Sequence, residues 1–155
     1  MARVKKIMLT DAPTLKKEAK AGEAAGLLLK SQHGCVVVVD NGFPVGIVTE
    51  LDILKNMSLK GNALKRTVDK IMSYPVATMS SSTSLEEALK IIDEKKFRKY
   101  PVVENNKFVG IVTKKDIVQT VSKNIRFHRS LQDFVLILFV LFELFIFVFY
   151  GYLGA

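Results

Sequence analysis

The chain is 155 residues long, which gives room for one compact domain of ordinary size and excludes an array of several. Twenty-three Lys and Arg against fifteen Asp and Glu leave a formal charge of +8, which suits an anionic partner such as a nucleotide, a nucleic acid or an acidic membrane surface without choosing among them. Cys35 is the only cysteine, so an intrachain disulfide is excluded, and its place beside four valines marks it as a buried thiol of a reducing compartment.

Residues 1–6 lead into a polar segment without an apolar signal region, so export is not expected. Residues 5–9 form a short basic and apolar lead-in, which Thr10-Asp11-Ala12-Pro13 breaks with turn formers. Ala21, Ala24, Ala25, Leu28 and Leu29 recur at helical spacing and predict a helix within 16–32, although Gly22 and Gly26 each weaken it by about 1 kcal/mol relative to alanine. Residues 35–39 are β-branched and continuous, Asp40-Asn41-Gly42 is a hairpin turn, and residues 45–48 resume the strand. Residues 51–57 read as a second helix, and 58–66 as a polar, basic linker.

The second half repeats the first at a constant step of 64 residues, from Gly46 to Gly110. Gly46-Ile47-Val48-Thr49-Glu50-Leu51-Asp52 returns as Gly110-Ile111-Val112-Thr113-Lys114-Lys115-Asp116, and Val4-Lys5-Lys6-Ile7-Met8 returns as Val68-Asp69-Lys70-Ile71-Met72. A gapless step of this length marks a tandem duplication of one structural unit. The second copy predicts a strand over 76–79 and a capping box at Ser84-Leu85-Glu86-Glu87, with the helix ending near Phe97. A hairpin follows over 100–112 around Asn105-Asn106, and then a helix over 114–122. Each copy reads strand, helix, strand, strand, helix. The fold class expected is α/β (α+β): repeats 1–66 and 67–124 sharing one pseudo-symmetric core, plus a C-terminal apolar helix over 130–153.

From residue 134 to 150 only Glu143 is charged, and with its flanks the apolar run is about long enough for a ~30 Å hydrocarbon core. Lys123, Arg126 and Arg129 cluster before it and nothing charged follows, which predicts a cytoplasmic domain held at the membrane by a single C-terminal helix. The same run also fits a buried helix at an oligomer interface. In a membrane, Glu143 would require a polar partner on another helix, such as that of a membrane protein.

The duplicated unit, closed in each copy by Gly-Ile-Val-Thr-x-x-Asp, resembles the CBS domain family, named after cystathionine β-synthase. The resemblance runs over residues 4–121, through VKKIM and VVVVDNGFPVGIVTELDIL in the first copy and IMSYPVATMSSSTSLEEALKIIDEKKFRKYPVVENNKFVGIVTKKDIV in the second. It implies two copies packed sheet to sheet, pairing of two such modules into a homodimer, and clefts that bind AMP, ADP, ATP or S-adenosylmethionine. It implies further that Thr113 and Asp116 serve one cleft and Thr49 and Asp52 the other, each threonine facing phosphate and each aspartate the ribose hydroxyls. A hydroxyl and the free amides of a helix N-terminus suit the first role, and a carboxylate's two acceptor oxygens the second. The adenine would lie against Val76, Thr78, Lys99 and Tyr100 in one cleft, and near Leu15 and Val36 in the other.

Lys114 and Lys115, with Arg98 and Lys99 beside them, would give the Thr113 cleft cations for a polyphosphate, whereas Glu50 would repel one from the Thr49 cleft. An ordinary helix cap has the same Thr-x-x-Asp pattern, and duplication is what favours a ligand site over that plainer reading. His33 and His128 lack metal-ligand neighbours, and no base is placed beside Cys35, so neither catalysis nor a required cofactor is expected. The expected protein is a non-catalytic adenine-nucleotide sensor regulating a membrane partner. The alternative is a nucleic-acid-binding or structural oligomerisation protein with empty clefts.

Overall fold

A computed structural model of the chain describes residues 2–31, 33–58, 62–95 and 97–153, with the side chains of 124–131 and 147–153 outside the description. It divides the chain into two compact units, Met1–Val118 and Gln119–Ala155.

In the first unit the duplication is carried through in three dimensions. The first copy forms strand β1 (Thr14–Leu15), helix α1 (Ala21–Lys30), strands β2 (Cys35–Asp40) and β3 (Phe43–Thr49), and helix α2 (Glu50–Met57). The second forms β4 (Met79–Ser80), α3 (Leu85–Lys95), β5 (Lys99–Glu104) and β6 (Lys107–Thr113), with α4 beginning at Lys114. Each copy has a three-stranded sheet, β1-β2-β3 or β4-β5-β6, with one parallel and one antiparallel pair. Cys35 pairs with Thr49 and Lys99 with Thr113, and both hairpins slip register at the same place, between Val38 and Val39 and between Val102 and Val103. The turns are left-handed at both central residues: φ is 49° at Asn41 and 83° at Gly42, 49° at Asn105 and 58° at Asn106. That geometry matches the twist of the flanking strands and explains why Asn and Gly stand there.

Because successive strand side chains point to opposite faces, the all-apolar β2 serves two cores. Val36 and Val38 pack with Ala21, Ala24 and Leu28 of α1 and Ile53 of α2. Cys35 and Val37 pack with Ile47, Ala12 and Ile111, the last from the other copy's sheet. The second cluster joins the two sheets, and the first seals the sheet of the first copy with α1 and α2.

The lead-in segments cross over. Val4 donates its amide to Thr83 O at 2.9 Å, and Val68 donates to Ala19 O at 2.8 Å. Leu9 exchanges two backbone bonds of 2.8 Å with Ile111, and Ser73 exchanges bonds of 2.8 and 3.2 Å with Ile47. Val68, Ile71 and Met72 accordingly pack in the core of the first copy, although in sequence they open the second.

Three expectations need correction. The strand expected over 76–79 is Met79–Ser80, because the preceding residues are spent crossing to β3. The Ser84 capping box is found in its forward half, Ser84 Oγ accepting from the Glu87 amide at 3.2 Å. The helix expected over 114–122 and the one over 130–153 are one element, α4, assigned from Lys114 to Leu153. No glycine or proline interrupts the sequence between Lys114 and Tyr150, so nothing in it stops the helix.

In the second unit the described apolar side chains from Phe134 to Phe145 are half or more exposed, among them Phe134 at 60%, Leu136 at 65% and Phe142 at 59%. Among the described residues no helix is long and apolar enough to cross a membrane. The span expected over 131–153 therefore does not emerge: its side chains are described only from 132 to 146, short of the ~20 residues a bilayer requires, and the rest of it lies outside the described residues.

Candidate functional site

Each threonine of the repeated motif is the last residue of its strand and caps the helix that follows. Thr49 donates from its amide (2.8 Å) and hydroxyl (2.6 Å) to Asp52 Oδ2, while the Asp52 amide donates to Thr49 Oγ1 at 3.4 Å. Thr113 and Asp116 repeat this at 3.0, 2.6 and 3.2 Å. The capping chemistry is thus present in both copies. It occupies one oxygen of each aspartate, so the two-oxygen grip on a ribose expected of Asp52 is reduced. Its other oxygen, Oδ1, already accepts from Ser73 Oγ at 3.0 Å.

A cleft of about 530 Å³ opens beside the first cap, lined by Gly34, Ile47, Thr49, Glu50, Leu51, Ser73, Pro75, Val76, Phe97, Arg98 and Lys99. The crossover of the lead-ins explains this membership. Ser73 pairs with Ile47, which carries the 73–76 segment of the second copy past the threonine of the first. One wall is thereby apolar (Pro75, Val76, Phe97), and the other is the N-terminus of α2. The volume is that of an ordinary small-molecule site.

This grouping corrects the expected one. Arg98 and Lys99 join Thr49 and Glu50, not Thr113, because the third strand of each copy faces the lead-in of the other. Of the residues singled out by sequence, Thr49, Val76 and Lys99 line the cleft, and Asp52 reaches it through Thr49 and Ser73. Val36 is fully buried on the helix-facing side of β2, with Leu15 packed at the edge of that core, and Tyr100, the counterpart of Val36 one repeat on, is fully buried too. Thr78 is half-buried outside the lining. Thr113, Lys114, Lys115 and Asp116 stay together at the start of α4, away from this cleft's lining.

Residues not foreseen are Gly34, Ile47, Ser73 and Phe97. The 64-residue step would have pointed to one of them, since Gly34 is the counterpart of Arg98.

Tyr100 shows how the site is backed. Its ring meets Phe97 edge to face at 6.3 Å, and among the described residues its buried hydroxyl has no partner at ordinary hydrogen-bonding distance. Burial raises its pKa, and the nearby Phe97 backbone partly offsets that rise. Burial likewise pushes the Cys35 thiol up, with Lys99 pulling against it, which removes the thiolate a nucleophile needs. Lys99 Nζ itself donates to the Gly34 carbonyl across the cleft.

The two copies part company at the wall. One repeat before Pro75 and Phe97 stand Asp11 and His33, and these bond to one another, His33 Nε2 to Asp11 Oδ1 at 2.9 Å. The imidazole holds the Asp11 pKa below its ordinary value. Asp11 and His33 border a smaller depression of about 260 Å³ with Pro13, Leu27, Lys30 and Ser31. Among the described residues there is no cluster of three or more metal-binding side chains.

The sequence model of the CBS domain family matches residues 4–59 and 68–123, one match per copy. An uncharacterised protein of Methanocaldococcus jannaschii is 34% identical over 134 residues, covering 77% of this chain and 32% of the relative, so the chain spans about a third of that protein's length. Among solved structures, the CBS domain pair of protein MJ0100 in complex with 5′-methylthioadenosine and S-adenosyl-L-methionine is 28% identical. It superposes with a TM-score of 0.69 over 80% of this chain and 98% of that one. CBSX2 in complex with AMP is 25% identical, with a TM-score of 0.65 over 79% of this chain and 98% of its own.

Proposed function

Since the chain belongs to the CBS domain family, we propose that its first unit is a non-catalytic regulatory module that binds an adenosine compound in the Thr49 cleft. The observation that carries this reading is the cleft itself, with an apolar wall of Pro75, Val76 and Phe97 facing a capped helix N-terminus. An adenine ring suits the first, and the polar remainder of a nucleoside the second. The AMP complex of CBSX2 and the S-adenosylmethionine complex of the MJ0100 pair support the ligand class.

Binding in a cleft walled by both copies stabilises one arrangement of them over others. A difference of a few kcal/mol between arrangements is enough to signal to a partner. Pairing into a homodimer would use the apolar residues left outside on the helices, Leu29 (90% exposed), Leu54 (62%) and Met57 (56%). Residues 131–153 would supply the contact with a membrane partner. Their part of the proposal rests on the uninterrupted apolar sequence and on the exposed side chains described from 134 to 145.

Calorimetry on the full-length chain with AMP, ATP and S-adenosylmethionine tests the proposal. The expected result is one ligand per chain, because Asp11 and His33 replace the apolar wall in the other copy. Phe97→Ala should weaken binding about 10-fold, the loss of a stacking contact worth ~1–1.5 kcal/mol. Affinity for single-stranded nucleic acid that falls steeply with salt, with no heat from any adenosine compound, would instead favour a polyanion-binding protein.

A further inference from the structure

Building on the reading of the Thr49 cleft as an adenosine site, we infer that this cleft selects an adenosine whose 5′ substituent carries a positive and a negative group together. An adenosyl amino acid of the S-adenosylmethionine type is thereby favoured over an adenosine polyphosphate. The observation is an arrangement of charges. Glu50 is the first residue of α2, Arg98 immediately precedes β5, and both line the same cleft. Among the described residues neither takes part in an ion pair. The third charge, Lys99, is already engaged, since its ammonium donates to the Gly34 carbonyl.

A ligand bearing only negative charge meets Glu50 as repulsion at the helix end where its phosphates would sit. A ligand bearing a sulfonium and an ammonium meets Glu50 as a partner, and its carboxylate is left for the planar fork of Arg98. The arrangement belongs to this cleft and not to the repeat. The counterpart of Glu50 in the second copy is Lys114, and the counterpart of Arg98 in the first is Gly34. In the Thr49 cleft, opposite charges therefore face one ligand space.

Four probes separate this inference from the reading beneath it: S-adenosylmethionine, 5′-methylthioadenosine, AMP and ATP, titrated by calorimetry into the full-length chain in mild detergent. The wild type should bind S-adenosylmethionine about 10-fold more tightly than ATP. Glu50→Gln should lose about 10-fold of that affinity, gain affinity for AMP and ATP, and hold 5′-methylthioadenosine, which has neither charge, within about twofold. Tighter binding of ATP than of S-adenosylmethionine by the wild type, or equal weakening of all four probes by Glu50→Gln, overturns the charge selection and leaves the adenosine site standing. Binding of none of the four overturns both.

Discussion

The glycine that opens each Gly-Ile-Val-Thr motif is fixed by what lies over it. A methyl group on Gly110 would stand 2.6 Å from the carbonyl oxygen of Leu9, a backbone atom held by its own pairing with Ile111. On Gly46 it would overlap the Met72 thioether, the flexible end of a side chain. Gly110→Ala should therefore destabilise by about 2–3 kcal/mol and Gly46→Ala by about 1 kcal/mol, measured as a difference in denaturant midpoint at unchanged slope. Equal costs would mean that the Leu9 segment yields as easily as a methionine. The cap that ends each motif was legible in sequence, because Thr-x-x-Asp after a strand is the pattern of a helix N-cap. Which neighbours face the cleft was less so. Cys-Val-Val-Val-Val has no polar alternation to show that Val36 turns to the helices and Cys35 to the opposite sheet, and its counterpart Tyr100 was misplaced for the same reason. Parity across the hairpin, Cys35 opposite Thr49 and Lys99 opposite Thr113, contains the answer once the register is known.

The elements themselves followed from turn chemistry and apolar spacing, and the two hairpins are found where Asn-Gly and Asn-Asn place them. What the sequence does not reveal is the exchange of lead-ins. Val-x-x-Ile-Met is the same in both copies, so docking on its own copy or on the other would bury the same side chains. The contacts beside one exchanged segment are testable. Lys5, in the first lead-in, pairs at 3.0 Å with Glu104 at the end of β5, and Ser81 Oγ donates to the same carboxylate at 3.1 Å. The hydrogen bond from Lys5, then that from Ser81, holds the Glu104 pKa below its ordinary value of 4.5. A carboxyl depressed in the folded state adds stability that is present above its unfolded pKa and is lost as the pH falls through the folded one. Glu104→Gln should therefore be less stable than wild type at pH 6, and the difference should fade as the pH drops below 4.5 and through the lowered pKa. The gap at pH 6 should shrink at high salt, because the pair is exposed. A difference that stays constant as the pH falls would assign the effect to packing and not to charge.

For the whole molecule, the duplication read from a constant 64-residue step survives in register, bulge, turn and cap, which is why the first unit was the most legible part of the chain. The second unit was the least legible, because an apolar run reports that water is unfavourable and not what replaces it. Its contribution to the stability of the fold can nevertheless be argued. Every fully or nearly fully buried apolar residue among those described lies at or before Ile117, and the described apolar residues from 134 onward are half or more exposed. Burial is what stabilises the fold, at about 25 cal/mol per Å² of apolar surface removed from water, and half-exposed side chains contribute little of it. A chain ending at residue 123 should therefore keep a cooperative unfolding transition, with a loss under about 1 kcal/mol and a shift of at most a few degrees in thermal midpoint. Circular dichroism melts of the two lengths, with the full chain in detergent, decide the matter. In cells the shortened chain should lose the contact with a membrane partner proposed for residues 131–153. Were the shortened chain instead to melt tens of degrees lower, the apolar tail would be packing against the first unit in solution, and both its exposure and its proposed membrane contact would have to be given up together.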